Sequence, residues 1–368
     1  MKILANLFRI LTGIVFMFSG FVKGVDPWGF AYKLEDYFIA YNWDFFIPFA
    51  LIFSILLCTL EFSIGAWLVF NVITKKAAWL VLLMMVFFTG LTLYDAIYSP
   101  VSDCGCFGDA IKLTNWQTFI KNLVLLPMAV IIFAYRKIFK SLLTIKTQWL
   151  IALLISLLFV GFCYYNYRHL PVIDFTEWKT GHKLYAENPQ PVKTFLIYKN
   201  KTTGEQKEYL SPNFPYDDSI WMANWEFVSQ RVDDPNVYYG KNLILTDSAG
   251  TDFTADVIRN QDFQLIFNVY ELAAINEAQA KFIQQFSSKA YDSDISSVIA
   301  MSATPEEMSN FVKKYNISVP VYNSDDVVLK TMVRSNGGLM LLKGGVVLNK
   351  WNWRDIPEFE KFKSQYLK

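Results

Sequence analysis

Residues 46–72 read FIPFALIFSILLCTLEFSIGAWLVFNV, and Glu61 is the single charged side chain among them. A membrane-spanning helix needs roughly 20 apolar residues, because its backbone polar groups must all be satisfied within the helix. This stretch therefore predicts a span, and four further stretches do so too: 3–22, 77–98, 119–135 and 149–165. The first has no small-x-small cleavage site before Lys23, so we expect a retained helix rather than a secretory signal.

The composition divides the chain into two halves. The whole sequence is 53% hydrophobic, but the apolar runs end near residue 165, and a composition typical of soluble proteins begins near residue 174. The net charge of +1 offers no basic surface, so we do not expect nucleic acid as a partner. All four cysteines lie in the first half, so no disulfide framework is expected in the second.

Basic residues in the short loops predict the orientation of the spans. Loops on one side carry a set of basic residues: Lys2, Lys75, Lys76, Arg136, Lys137, Lys140 and Lys146. Basic residues in the opposite loops are outnumbered by acidic ones. The first set is expected in the cytoplasm. We therefore predict a bacterial inner-membrane protein in contact with the lipid bilayer, with a cytoplasmic N-terminus and a periplasmic C-terminal domain.

Four ionisable side chains lie within the apolar helices or near their ends: Arg9, Lys23, Glu61 and Asp95. A charge near the bilayer centre costs at least ~2.5–3.5 kcal/mol, so such residues are expected to face the bundle and find partners. Arg9 and Glu61 are one possible pair. Such a pair could fix the bundle register, move protons or bind a polar head group. Gly13, Ser19 and Gly20 would permit close helix approach.

The loop between the third and fourth spans reads SPVSDCGCFGD over residues 99–109. Adjacent thiols in an oxidising compartment are expected to be oxidised, metal-bound or catalytic. A redox-active Cys104–Cys106 pair and a structural disulfide both remain open. No metal site is predicted, because the histidines lie far along the chain and no second cysteine pair has zinc spacing. Asp103 and Asp109 are expected to raise the pKa of the thiols.

Two cysteines lie within spans. Cys163 ends the fifth span on the outer side, so it is a candidate third catalytic residue that could resolve a bond to Cys104 or Cys106. Cys58 lies inside the second span and is expected to be a small core residue.

Two signatures carry a family resemblance. The first comprises Arg9-x-x-x-Gly13, Phe18-Ser19-Gly20-x-x-Lys23-x-x-Asp26-Pro27-x-Gly29 and Glu61-x-x-x-Gly65. It resembles the DoxX-like membrane proteins. The second comprises residues 103–109, Trp116 and the Lys121-Asn122 pair, and it resembles the MauE-like branch of that family. The resemblance covers about residues 1–140.

The resemblance implies a four-helix core related in outline to the DsbB and vitamin K epoxide reductase type of oxidoreductase. It also implies a role in disulfide formation or maturation of a periplasmic client protein, with a quinone as one candidate cofactor. No cofactor-binding residue is indicated. The sequence departs from that type, because it has one close cysteine pair and no cysteine between residues 23 and 45. A relay would need Cys163 or a partner to supply thiols.

In the second half of the chain, predicted strands and helices follow one another in a regular order. A hairpin is predicted over 192–199 and 207–210. Residues 243–254 then resemble the entry strand of TlpA-like domains, with residues 248–250 as its turn. Strands over 264–270 and 296–301 alternate with helices over 276–289 and 304–315, and a hairpin follows over 339–342 and 346–351. This order resembles the thioredoxin fold. Residues 271–275 replace its Cys-x-x-Cys, and residues 335–338 replace its cis-proline, so we expect a degenerate module that binds a partner or shields the Cys-Gly-Cys loop.

The predicted fold class is thus an α-helical membrane bundle followed by a soluble α/β thioredoxin-like domain. Its predicted parts are a four-helix membrane domain (1–140), a fifth span (141–168), a β-rich periplasmic segment (169–242) and a degenerate thioredoxin-like domain (243–368). Proteins of Bacteroidetes show a similar architecture. We expect a thiol–disulfide or maturation role on envelope proteins. The alternative is a non-enzymatic scaffold with a structural disulfide.

Overall fold

The computed structural model describes residues 2–101, 103–236 and 238–367. Met1, Ser102, Val237 and Lys368 belong to the predicted domains but lie outside the described residues.

Six helices form the first half of the described chain: α1 (Lys2–Val25), α2 (Pro27–Ala40), α3 (Ala50–Val69), α4 (Thr74–Tyr98), α5 (Asn115–Ala134) and α6 (Ile145–Arg168). All except α2 are long and apolar enough to cross a membrane, and α3 is extended by the 3-10 turn Asp44–Phe49. The predicted five spans are therefore confirmed, and the chain is a membrane protein.

The antiparallel helices α1 and α3 meet at glycines. A Cβ added to Gly20 would lie 2.5 Å from the Phe62 nitrogen, and one added to Gly13 would lie 2.9 Å from the Gly65 carbonyl oxygen. Small residues let two helix backbones approach this closely, and van der Waals packing then holds them together. The predicted close approach at Gly13 and Gly20 is confirmed.

Helix α2 was not predicted. It has 14 residues, which is too short for a span, so the hydropathy of the sequence does not reveal it. Asp26 caps its start by accepting a hydrogen bond of 2.9 Å from the Gly29 nitrogen, and Pro27 follows at the first helical position. Both residues are typical of a helix start.

A three-stranded antiparallel sheet follows the spans. Its strands are β1 (Lys193–Asn200), β2 (Gln206–Leu210) and β3 (Trp225–Asp233), in the order β2-β1-β3, with the short helix α7 (Ser219–Asn224) before β3. The first two strands confirm the predicted hairpin. Aromatic rings from the strands and α7 pack together, among them Tyr198, Tyr209 and Trp221.

The last part of the chain contains a five-stranded sheet in the order β6-β5-β4-β7-β8. Its elements are α8 (Thr254–Ile258), β4 (Phe263–Val269), α9 (Glu277–Tyr291), β5 (Ser296–Met301), α10 (Pro305–Tyr315), β6 (Val321–Asn323), α11 (Asp326–Met332), β7 (Gly338–Lys343), β8 (Val346–Trp351) and α12 (Phe359–Tyr366). Strands β4, β5 and β6 are parallel, whereas β7 and β8 are antiparallel. This is the topology of the thioredoxin fold, and the predicted fold class is confirmed.

The predicted entry strand within 243–254 is wrong. Thr246 makes only isolated bridges, to Asp252 and Asn323. The predicted turn at 248–250 is confirmed, because the Asp247 carboxylate accepts hydrogen bonds from the Ala249 and Thr251 nitrogens and folds the segment back on itself.

Candidate functional site

The two loop cysteines lie side by side. The sulfur atoms of Cys104 and Cys106 are 2.8 Å apart, and both side chains are half-buried free thiols. Gly105 between them has φ +63°, a left-handed conformation that favours glycine. Cys104 also lies 3.4 Å from the Thr118 hydroxyl at the start of α5. The loop thus presents two thiols close enough to form a disulfide if an acceptor removes two electrons and two protons.

Ion pairs hold the loop on both sides of the dithiol. Before it, the Asp103 carboxylate lies 3.0 Å from the Lys33 ammonium of α2 and also accepts a hydrogen bond from the Gly105 nitrogen. After it, the Asp109 carboxylate lies 3.0 Å from the Arg334 guanidinium of the soluble domain. The two halves of the chain therefore both contribute to the site.

A buried ion pair lies beneath the loop. Lys23 near the end of α1 pairs with Glu61 of α3, and Lys23 is only 3% exposed. The Ser19 hydroxyl lies 2.9 Å from the Glu61 carboxylate and 2.8 Å from the Cys106 carbonyl oxygen, and it can donate to either. This network connects the dithiol loop to the interior of the bundle.

The surroundings of the two thiols shift their pKa values in opposite directions. The hydrogen bond from Cys104, helped by the nearby ammonium groups of Lys121 and Lys23, lowers the pKa of Cys106 below that of an ordinary thiol, although burial opposes it. The same hydrogen bond, together with burial, raises the pKa of Cys104. The expectation that both thiols have raised pKa values is wrong for Cys106, because the hydrogen bond from Cys104 and the charges of Lys121 and Lys23 together outweigh the effect of burial. Cys106 is therefore the better leaving group and the better thiolate at neutral pH.

Arg9 and Glu61 do not pair. The Arg9 guanidinium donates to the Leu68 and Val69 carbonyl oxygens at the end of α3. The antiparallel register explains this correction, because Gly20 of α1 lies level with Phe62, next to Glu61. Arg9 is eleven residues from Gly20 along α1, a distance of about 16 Å. A cation at a helix C-terminus satisfies carbonyl groups that have no partner within the helix.

Asp95 has polar partners from the region of α2. It is fully buried and accepts a hydrogen bond of 2.7 Å from the Tyr37 hydroxyl and one of 3.4 Å from the Tyr41 hydroxyl. Hydrogen bonds from neutral donors therefore satisfy this carboxylate and tie α2 to α4.

Cys163 packs in a buried cluster with Cys58 and Phe159, between α3 and α6. A Cβ added to Gly24 of α1 would lie 3.1 Å from its sulfur. These contacts lie within the bundle, and the described contacts of Cys163 do not include the loop pair. Its role as a third catalytic thiol stays a prediction.

The thioredoxin-like domain faces the bundle with the edge where its own cysteines would lie. Residues 271–275 contain the 3-10 turn Leu272–Ala274, directly after β4, and no cysteine. This edge and α2 line a cleft of about 470 Å³ with Trp28, Tyr32, Tyr270 and Asn336. A second cavity, of about 350 Å³, lies against Gly105 and Gly108 of the dithiol loop.

Among the described residues, no group of three or more His, Cys, Asp or Glu side chains is arranged to hold a metal ion.

Sequence reasoning missed three contributors: Ser19 as a contact of the loop, α2 with its cap Asp26, and Arg334. Ser19 and Asp26 belong to the first signature, so that motif could have indicated them. Nothing in the sequence around Arg334 indicates a contact with a loop 225 residues earlier.

Comparison with known proteins agrees with the helical part of this description. Residues 1–135 match the family described as methylamine utilisation protein MauE. Among solved structures, one similar chain is the solution structure of a candidate protein disulfide isomerase from Bacteroides thetaiotaomicron. It has 13% sequence identity and a TM-score of 0.27, and the match covers 33% of this chain and 81% of that chain. No curated protein matches the sequence.

Proposed function

We propose that this chain is a bacterial inner-membrane thiol–disulfide protein whose Cys104–Cys106 pair oxidises envelope client proteins. The observation that carries the proposal is the pairing of two thiols at 2.8 Å, one with a lowered pKa, directly above a buried Lys23–Glu61 pair. A lowered pKa on one thiol of an adjacent pair is typical of cysteines that exchange disulfides. The match of residues 1–135 to the MauE family is compatible with a maturation role.

The exchange balances between two dithiol–disulfide pairs. A client thiolate attacks the Cys104 sulfur, the Cys104–Cys106 bond breaks, and Cys106 leaves as a thiolate, because the thiol with the lower pKa leaves faster. The second client thiolate then attacks the client sulfur of the mixed disulfide and releases Cys104. The client has lost two electrons and two protons, and the loop pair has gained both.

Re-oxidation of the loop needs an acceptor of two electrons and two protons, and we propose a quinone. The candidate place for its head group is the cavity of about 350 Å³ beside Gly105, whose lining is mixed: Phe30 and Ile39 are apolar, Lys23 and Lys33 carry hydrogen-bond donors, and several carboxylates line the rest. A bound quinone would supply the oxidising power. In this proposal Lys23 and Lys33 orient the head group, and the loop brings the dithiol to it.

A thiol-trapping experiment on intact cells tests the proposal. Cys104→Ser and Cys106→Ser single variants cannot form the disulfide that a client thiolate attacks, so client proteins should accumulate in the reduced form in each of them and in the double variant. The buried Cys58→Ser variant is the matched control and should behave as wild type. Unchanged client oxidation in the double variant, at normal protein level, would rule the redox function out.

The alternative is a scaffold in which the cysteines form a structural disulfide. The contacts of the loop favour it as a second candidate, because Asp103, the Cys106 carbonyl and Asp109 already fix the loop, and a disulfide would complete that anchoring. In that case the pair would be fully oxidised in cells. The double variant would then lower the protein level without changing the redox state of any client.

The proposed orientation has its own test. Thr202→Cys, in an exposed turn of the soluble half, should react with an impermeant maleimide added to osmotically opened periplasm. Lys75→Cys, at an exposed position in the first turn of α4, should react only after the inner membrane is lysed. The reverse pattern would contradict a periplasmic soluble domain.

A further inference from the structure

The contact between the two halves of the chain centres on Arg334. Its side chain is 5% exposed, and its guanidinium group donates in three directions. Nε donates to the Asp26 carboxylate at 2.8 Å, Nη2 to the Asp109 carboxylate at 3.0 Å, and Nη1 to the Lys330 carbonyl oxygen at 2.9 Å. Two carboxylates of the membrane half therefore compensate one buried cation of the soluble half.

Two residues of α2, Gly29 and Tyr32, lie next to the Arg334 guanidinium. A Cβ on Gly29 would collide with the Asp26 carboxylate and lie 2.8 Å from Nη2, so a larger residue there would force the Arg334–Asp26 pair to shift. The Tyr32 ring lies 5.6 Å from the guanidinium carbon. Removing one partner of a buried charge leaves an uncompensated charge, so such a contact persists once formed.

A rigid path connects Arg334 to the sheet of the soluble domain. Asn268 in β4 is fully buried, and its amide donates to the Val333 and Ser335 carbonyl oxygens on either side of Arg334. The Asn268 carbonyl in turn accepts a hydrogen bond of 2.7 Å from the Gly337 nitrogen. The position of the domain thus fixes the position of the guanidinium.

We propose that Arg334 is a positioning residue for the dithiol, so that the domain without cysteines completes the site of the membrane half. Arg334 holds Asp109, three residues after Cys106, while Lys33 holds Asp103, the residue before Cys104. Because both ends of the dithiol loop are fixed, Cys106 stays close to the ammonium groups of Lys23 and Lys121. The proposal rests on the proposed thiol chemistry for its biological role, but the geometry itself is testable without a client.

The test measures maleimide labelling of the reduced full-length protein in nanodiscs as a function of pH. The Cys104→Ser, Cys106→Ser double variant gives the background from Cys58 and Cys163. In Arg334→Gln the pH of half-maximal labelling should rise toward about 8.5, the value of an ordinary thiol. The plateau rate at high pH should rise about tenfold as the loop opens. Arg354→Gln, an exposed arginine on the cleft, is the matched control and should leave both quantities unchanged.

Two rescues separate positioning from general damage to the fold. Arg334→Lys keeps the charge but loses the planar fork, so it should restore the profile in part. The charge swap Arg334→Asp with Asp109→Arg should label more like wild type than either single variant.

If Arg334→Gln does not fold, Asp109→Asn removes the contact from the loop side and leaves the Asp26 pair. A wild-type profile in Arg334→Gln or Asp109→Asn, or an equal shift in Arg354→Gln, would overturn the proposal.

The outcome is separate from that of the proposed function. If the loop cysteines prove dispensable for client oxidation while labelling still depends on Arg334, the redox function fails and the positioning role stands. If client oxidation needs the cysteines but the labelling profile is the same in Arg334→Gln and in the wild type, only the positioning role fails.

Discussion

The contact between α1 and α3 differs in kind from the contact between the two halves of the chain. Gly13, Gly20 and Gly65 bring the α1 and α3 backbones together until there is no room for a Cβ atom. The two halves meet instead through charged groups around Arg334, beside a cleft of about 470 Å³. The first contact depends on shape along two whole helices, and the second depends on a few side chains.

The two contacts therefore have different roles in the molecule. Close helix packing stabilises the bundle and fixes the register that brings Lys23 to Glu61. The contact between the halves leaves space beside the dithiol loop, which a site that exchanges disulfides with clients needs. Changes to the α1–α3 contact should therefore unfold the bundle, whereas changes to the other contact should alter the loop and leave the bundle intact.

The largest effect is expected from breaking the buried ion pair under the loop. Lys23→Met or Glu61→Gln alone should lower the free energy of unfolding in detergent by about 3–5 kcal/mol, because one buried charge loses its partner. The double variant should lose less than the sum of the two single variants. Additive losses in this double-mutant cycle would show that the pair does not interact.

A smaller loss is expected from filling the α1–α3 contact. Gly65→Ala would place a methyl group against the Met17 backbone, which should cost about 1–3 kcal/mol. Gly90→Ala and Gly161→Ala are matched controls, because a Cβ at either position meets nothing within 4 Å. Thermal unfolding followed by circular dichroism would compare them. Equal melting temperatures for all three variants would contradict the close packing.

The pH dependence of labelling sharpens the description of the loop. The pKa of Cys106 is lowered, so its thiolate should persist below the usual thiol range, and labelling should fall only as the pH drops through this lowered value. Cys104→Ala removes the hydrogen bond that is the largest cause of the shift, and Lys121→Met removes the larger of the two favourable charges. Each should move the half-maximal pH of Cys106 labelling upward, as peptide mass spectrometry would measure. A profile centred near about 8.5 in the wild type would contradict the lowered pKa.

The smallest effect is expected at the exposed edge of the contact between the halves. His169 lies 2.8 Å from Asp355, but both side chains are about one-third exposed. Exposed ion pairs contribute about 0–1 kcal/mol, so His169→Gln should leave the melting temperature and the labelling of the loop nearly unchanged. A loss comparable to that of Lys23→Met would show that the two contacts are equally strong.

Much of the fold could be predicted from residue patterns. The five spans follow from long apolar runs, and the order of strands and helices in the last domain follows from alternation and from capping residues such as Thr304. Helix α2 was missed because 14 residues do not produce a hydropathy peak. The turn at 248–250 was predicted, but the residues beside it, such as Thr246, form isolated bridges instead of a regular strand.

The candidate site was only partly visible in the sequence. Cys104 and Cys106 could be named, because they are adjacent and lie in a loop between spans. An Arg9–Glu61 pair was one possibility, and the sequence could not decide it, because partners on two helices depend on the register of those helices. Lys23 was identified as a polar residue of the bundle, but its pairing with Glu61 required the structure.

By itself, the sequence determined which segments enter a membrane, where the two adjacent thiols lie and that the last domain lacks cysteines. These properties depend on local composition, because hydropathy and residue identity act over short stretches of chain. Only the tertiary structure decided that Lys23 rather than Arg9 meets Glu61, that Cys106 has the lower pKa, and that Arg334 holds the loop. Each of these depends on groups far apart in the chain, and their distances arise only when the helices and domains pack.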